Sequence, residues 1–329
     1  MDVSNANLIT ASGYNPFYQM LSKAGAIYMK SLIDENREDD MLPFIANTSI
    51  LDELTKCGQV IQFDHELTLG SWRPYELDQE LQHTTPRKDY SCISICNTDY
   101  LRIKVDNEDR RRMCEDWVEY ERQFKKAAWE GLSDTWHNDV LTGMMLGASS
   151  RNKGATAGRY GVIDLGTTDA PRDLTPDNLV LFVTDLMRVL EDAKRWYAGN
   201  MVLIVPKAFR ALLIQTAFAK QMCCMINDSV LFKGLQVQDL LGFTLIETNR
   251  LQSFQDPNTR KLVHPIIAAW NESYGFAGDV VEVREVISER SFHTFFDFRT
   301  VYGGGAIYPE GLALSYVTLS TDGQVPNNP

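Results

Sequence analysis

Two stretches decide the fold: Val60-Ile61-Gln62-Phe63-Asp64-His65-Glu66-Leu67-Thr68-Leu69 and Ile93-Ser94-Ile95-Cys96-Asn97-Thr98-Asp99-Tyr100-Leu101-Arg102-Ile103-Lys104-Val105. In the first, Ile61, Phe63, Leu67 and Leu69 alternate with Gln62, Asp64, Glu66 and Thr68. In the second, Ile93, Ile95, Leu101, Ile103 and Val105 share one parity, opposite Arg102 and Lys104. Period-2 patterning over both arms predicts an amphipathic β-ribbon across residues 57–105. Its tip, residues 70–89, carries Trp72, Arg73, Pro74, Pro86, Arg87 and Lys88. A lone two-stranded ribbon is marginally stable in water, and a loop of that length usually serves a function or a partner. The neighbouring sequence offers no cover. The apolar face that includes Ile61, Phe63, Ile93 and Ile95 is therefore expected to lie on another copy of the chain. Trp72, Arg73, Arg87 and Lys88, an aromatic and three cations, read as intersubunit anchors; the alternative is a mobile, solvated tip.

On the amino-terminal side, residues 1–56 read as a loosely attached arm. A helix over 17–33 leads into Asp34-Glu35-Asn36-Arg37-Glu38-Asp39-Asp40, with five acids and one base. That run is most simply a solvated connector; the other reading is a strap reaching basic residues on another subunit. On the carboxy-terminal side, Met113, Trp117, Tyr120, Phe124, Ala128, Leu132, Trp136, Val140 and Met144 recur every three or four residues. This predicts one long helix, capped by Asp106 or Asn107 and ended by Gly147. With a single apolar stripe it should lie on a sheet or another subunit.

After a loop over 148–161 the pattern becomes α/β. Thr175 should cap a helix with Pro176 in its first turn, and Leu174 and Leu179 should form a hydrophobic staple. Residues 201–205, 242–248 and 264–270 read as strands, and 206–222 as a helix. The last stretch is β-rich, at 280–287, 292–302 and 312–319, with a tight break at Gly303-Gly304-Gly305. The long helix lacks a sheet and the final strands lack a cover, so one domain should be discontinuous, with the compact 175–279 domain inserted into it.

The chain has 329 residues, 44% apolar and 23% charged, and a net charge of −12. This is a globular composition, and the acidic balance argues against gripping nucleic acid with a broad basic surface. No apolar run approaches the roughly 20 residues of a membrane helix. No basic-then-apolar leader follows Met1, and six cysteines without paired metal spacing suggest free, packed thiols in a reducing cytosol. The chain carries no phosphate-cradling G-x-x-x-x-G-K-[ST], no G-x-S-x-G elbow and no H-E-x-x-H helix. The basic, glycine-containing stretch 147–161 follows a helix instead of opening one. His65, His83, His137, His264 and His293 are scattered. No catalytic, metal or cofactor site is expected.

In this order, the arm, ribbon, long helix, inserted domain and β-rich return resemble the major capsid proteins of tailed bacteriophages with the Hong Kong 97-type fold. Local echoes are Leu174-Thr175-Pro176-Asp177-Asn178-Leu179, Asp239-Leu240-Leu241-Gly242-Phe243-Thr244-Leu245, and Arg299-Thr300-Val301-Tyr302-Gly303-Gly304-Gly305-Ala306-Ile307-Tyr308-Pro309-Glu310-Gly311. The resemblance implies an α+β fold with an N-terminal arm (1–56), extended β-ribbon loop (57–105), peripheral domain with spine helix (106–174), axial α/β domain (175–279) and second peripheral part (280–329). It implies hexamers and pentamers of the chain closing an icosahedral shell around double-stranded DNA that is confined and not read by sequence. Expected partners are a portal and a separate scaffolding protein, since the arm is too short for an internal scaffold. Lys88, the one lysine in 57–103, is the sole ribbon candidate for an isopeptide crosslink, though a solvated lysine is the simpler reading. The competing readings are an encapsulin-like nanocompartment shell and a cytosolic oligomeric α/β enzyme.

Overall fold

The computed structural model describes residues 41–48, 60–65, 85–86, 88–106, 117–220, 238–256, 259–287 and 293–320. It is a mixed α+β structure built around two sheets. Strands β3 (Asn97–Asp106), β10 (Tyr274–Ile287) and β11 (His293–Ala306) form an antiparallel three-stranded sheet with β11 in the middle. A seven-stranded mixed sheet has the order β4 (Arg172–Leu174), β12 (Leu312–Leu319), β9 (Leu262–Trp270), β5 (Met201–Pro206), β7 (Phe243–Thr248) and β6 (Gln238–Leu240), with β8 (Phe254–Gln255) added to β9. A separate pair, β1 (Val60–Asp64) and β2 (Tyr90–Ser94), is antiparallel with Ile61 opposite Ile93.

Helix α2 (Trp117–Gly147), preceded by the four-residue α1 (Leu42–Ile45), supplies what the three-stranded sheet needs. Its Trp129, Trp136, Val140, Leu141 and Met144 are buried with Phe276, Phe296, Phe298 and Tyr302 of the sheet. The same cluster takes in Val202, Ile204, Ile267, Ala269, Leu312 and Leu314. One helix, about 46 Å long at 1.5 Å per residue, therefore roofs both sheets. The other face of the seven-stranded sheet is covered by α3 (Leu179–Asp192) and α4 (Phe209–Lys220). There Phe182, Leu186, Phe209 and Leu212 meet Leu203, Val205, Phe243 and Ala268. β5 is buried at every position because it has an apolar layer on each side.

Several expectations are corrected. The second ribbon arm does not run unbroken from Ile93 to Val105. It divides after Ser94, and β3 pairs with β11 instead of β1, with Phe296 opposite Ile103 and Phe298 opposite Leu101. Asp106 lies in β3 and not at a helix cap, and Asn107 falls outside the described residues. Thr175 is not the cap of α3. Its N–H donates to Asn178 Oδ1 while Asn178 Nδ2 donates to the Asp173 carbonyl, so Asn178 closes a turn and the helix starts at Leu179. Leu174 and Leu179 do share one buried cluster. Pro206 ends β5 and the helix begins at Phe209. Strand β12, expected in the second peripheral part, sits inside the seven-stranded sheet, parallel to β4 and antiparallel to β9. Its almost wholly buried apolar sequence requires an interior position.

Gly303-Gly304-Gly305 is no break, since β11 runs through all three. A Cβ on Gly303 would stand 2.5 Å from the Ser94 carbonyl oxygen and 2.7 Å from Ile95 Cα. A Cβ on Gly304 would stand 2.9 Å from the Tyr274 hydroxyl, and one on Gly143 of α2 would stand 2.0 Å from it. The glycines are therefore required by close approach from both sides. Gly303→Ala should destabilise the protein by about 1–3 kcal/mol through overpacking against backbone. Gly131→Ala, where nothing lies within 4 Å, should stabilise α2 by about 0.5–1 kcal/mol. Chemical denaturation of the purified variants checks both signs.

Candidate functional site

The sequence places any interaction site on the ribbon, and the structure shows how its root is held. Ile61, Ile93 and Ile95 are buried, at 8%, 2% and 0% exposure. Ile61 and Ile95 pack with Ala277 of β10 and Val301 of β11, and Phe63 lies against them. Ile93 faces Gly305, where a Cβ would meet its side chain at 3.3 Å. The expectation that Ile61, Phe63, Ile93 and Ile95 find shelter on another copy is therefore corrected. Their cover is the outer face of the chain's own three-stranded sheet, where two glycines leave room for a backbone to lie flat. Trp72, Arg73 and Arg87 fall outside the described residues, and Lys88 is exposed.

Polar contacts fix the same root. His65 Nε2 lies 2.6 Å from Ser91 Oγ, which donates to the Ile307 carbonyl at 2.9 Å, and the His65 N–H donates to the Asp89 carbonyl. The His65 ring meets Tyr308 edge-on, with centroids 4.7 Å apart. Tyr308 in turn stacks near Trp270, with the Arg195 guanidinium 4.5 Å from its ring centre. On the other face of the three-stranded sheet, Tyr302 shares its hydroxyl hydrogen between Asp139 of α2 at 2.8 Å and Asp99 of β3 at 3.0 Å. Burial, then these carboxylates, push the Tyr302 phenol far above its ordinary value. Burial pushes Tyr274 up to about 12. Both phenols stay donors at any physiological pH.

Beyond the ribbon root the outer face of the sheet is open. Asp297 of β11 stands between Arg102 of β3 and Arg284 of β10, its direct cross-strand neighbours. Arg102 binds it with two hydrogen bonds of 2.5 and 2.7 Å, and Arg284 Nε donates at 2.8 Å. Hydrogen bonding to Arg102 first, and to Arg284 next, holds the Asp297 carboxyl below the usual carboxylate range. Tyr100 on the same face is 84% exposed, and Leu101, on the other face, is also exposed. Farther away, Leu146, Tyr160, Val162 and Leu181 are large apolar side chains left in solvent.

Among the described residues no three His, Cys, Asp or Glu side chains gather to hold a metal ion, and no helix is long and apolar enough to cross a membrane. The basic loop after α2 is tied down structurally, with Asn152 Nδ2 donating to the Glu310 and Leu312 carbonyls. Cys92 and Cys96 are exposed, not packed as the sequence suggested; Cys92 is on the even-numbered side that β2 turns outward, and Cys96 lies in the short break between β2 and β3. Cys223 and Cys224 lie outside the described residues. The Asp297 cluster escaped the sequence reading because its members are separated by up to 195 residues. The glycine triplet did carry a signal, since glycine inside a strand marks close approach of another backbone.

The fold is shared with phage proteins. A chain from Mycobacterium phage Che8 is 16% identical with a TM-score of 0.60, covering 85% of this chain and 90% of that one. A chain from the capsid of cyanophage P-SCSP1u is 13% identical with a TM-score of 0.55, covering 86% and 88%. One from the capsid of Ralstonia phage GP4 is 9% identical with a TM-score of 0.56, again covering 86% and 88%. No family model and no curated protein matches the sequence.

The Asp297 pair makes a pH prediction. A carboxyl whose folded pKa is depressed contributes stability above its unfolded value near 4, and that stability is lost as pH falls through the lower, folded value. Unfolding midpoints should fall below about pH 4 in the parent, and Asp297→Asn should flatten that part of the curve.

Proposed function

We propose that the chain is the major capsid protein of a tailed bacteriophage, a structural protein and not an enzyme. Copies of it form hexamers and pentamers that close an icosahedral shell around double-stranded DNA. The observation that carries this reading is end-to-end correspondence: the two phage capsid chains share the fold over 86% of this chain and 88% of their own lengths. In that reading α2 is the spine helix, the three-stranded sheet belongs to the peripheral domain, and the seven-stranded sheet with α3 and α4 is the axial domain. The ribbon root, fixed by Ile61, Ile93, Ile95 and His65 to its own body, presents the ribbon beyond residue 65 to the adjacent subunit. Trp72, Arg73, Arg87 and Lys88 at its tip are the intersubunit anchors.

Large apolar side chains left in solvent support assembly. Tyr100 lies on β3, Leu146 on the last turn of α2, and Tyr160 and Val162 on the loop that follows it. Many modest contacts multiplied in a closed symmetric lattice give high stability without one strong interface. A net charge of −12 suits a container that holds DNA by confinement and must release it. A scaffolding protein sets the diameter, a portal occupies one vertex, and the shell assembles in the host cytoplasm and ends in the virion.

Negative-stain microscopy of the purified native assembly should show closed icosahedral particles with nuclease-protected DNA. Enzyme cargo in place of DNA would favour a nanocompartment, and a small discrete oligomer would overturn the shell. The Trp72→Ala, Arg73→Ala double variant should fold normally yet lose about 2 kcal/mol per ribbon contact. Particle dissociation in denaturant would then occur at lower concentration, whereas an unchanged midpoint would refute the anchor role.

A further inference from the structure

The open outer face of the three-stranded sheet is basic in an acidic protein. Between Tyr100 and Lys104 on β3, and across β11 to β10, it carries Arg102, Lys104, Arg299 and Arg284 against Asp297 and Glu282. Asp297 already serves two arginines, and Glu282 lies 3.9 Å from Arg284. Lys104 and Arg299, both exposed, enter no ion pair among the described residues. Half-buried Phe295, with Arg102 over its ring, and exposed Tyr100 supply apolar surface beside the charges.

Resting on the shell reading, we propose that this face docks the acidic run Asp34–Asp40 of an adjacent copy, five carboxylates against the surplus of arginine and lysine. Charge complementarity selects the occupant, since the run is the densest block of acid in the sequence. The chain's own run is badly placed to fill the site. Leu42 and Ile45, just after it, are buried in the cluster under α2, on the opposite face of the sheet. Asn47 exchanges hydrogen bonds with Tyr274 and Phe276, at the far end of β10 from Arg284. Asp40, seven residues before Asn47, reaches at most about 25 Å along the chain, short of the roughly 30 Å of strand between Gly275 and Arg284. The earlier acids have the length but would have to pass from the α2 side, where Leu42 and Ile45 are buried, to the opposite face of the sheet.

Zero-length carbodiimide coupling of assembled particles tests this, with Lys104 as the reporting amine. Peptide mapping should find Lys104 joined to carboxylates of residues 34–40 in the two-chain band. The yield should drop at least fivefold in Arg299→Gln or Arg299→Glu particles and severalfold in 0.5 M salt. The same junction confined to the single-chain band would assign the site to the chain's own arm and overturn the proposal. So would coupling of Lys104 only elsewhere, or coupling that appears only after nuclease treatment. Microscopy of the same sample keeps the two readings apart: intact shells without the junction refute the docking alone, while absence of shells refutes the container itself.

Discussion

Everything in this subunit hangs on β11 being a wall with two occupied faces. Its even-numbered side chains, Phe296, Phe298 and Tyr302, enter the core beneath α2. Its odd-numbered positions from Val301 to Gly305 receive the ribbon root. A three-stranded sheet has little apolar area of its own and needs a layer on each side to be stable. Glycine makes both approaches possible. Tyr274 fits between α2 and β11 because neither Gly143 nor Gly304 has a side chain, and β2 comes close because Gly303 and Gly305 have none. The ribbon's starting direction is thereby set by backbone contact, which is stiffer than side-chain packing.

The long helix extends that constraint to the rest of the molecule. Trp129 and Trp136 sit among the three-stranded sheet, while Val202, Ile204 and Leu314 of the seven-stranded sheet join the same cluster. A second tie runs through His65, Tyr308, Trp270 and Tyr197, an aromatic line from the ribbon root to the end of β9. Two connections on different faces resist rotation better than one.

How much was legible depended on whether the signal was local. The stripe from Leu132 to Met144 and the alternation at Ile61 and Phe63 report burial by period alone, and the strand at 312–319 was placed to the residue. What pairs with what was not legible. Residues Ile93 to Val105 carry one continuous alternation, yet β2 and β3 join different sheets, because parity records which side is buried and not against which partner. The apolar ribbon face was correctly seen as needing a cover, but its cover, Val301 and Ala277, lies far along the chain. The cap predicted at Thr175 gave way to a turn in which Asn178 Oδ1 accepts from the Thr175 N–H, because both residues offer a side-chain oxygen and only geometry selects between them. The Arg102–Asp297–Arg284 bridge had no sequence signature at all.

The position of β12 has a temporal consequence. It is wedged between β4 and β9, and Thr318 bonds Asp173 across 145 positions. Until it arrives, β9 has an unpaired edge and β4 has no sheet to belong to. Contacts of such separation form slowly, because the intervening loop must be closed first. On a ribosome, the sheet is locked only after nearly everything else in this sequence has emerged. Closure of the β9 edge is thereby a late event in the folding of this chain.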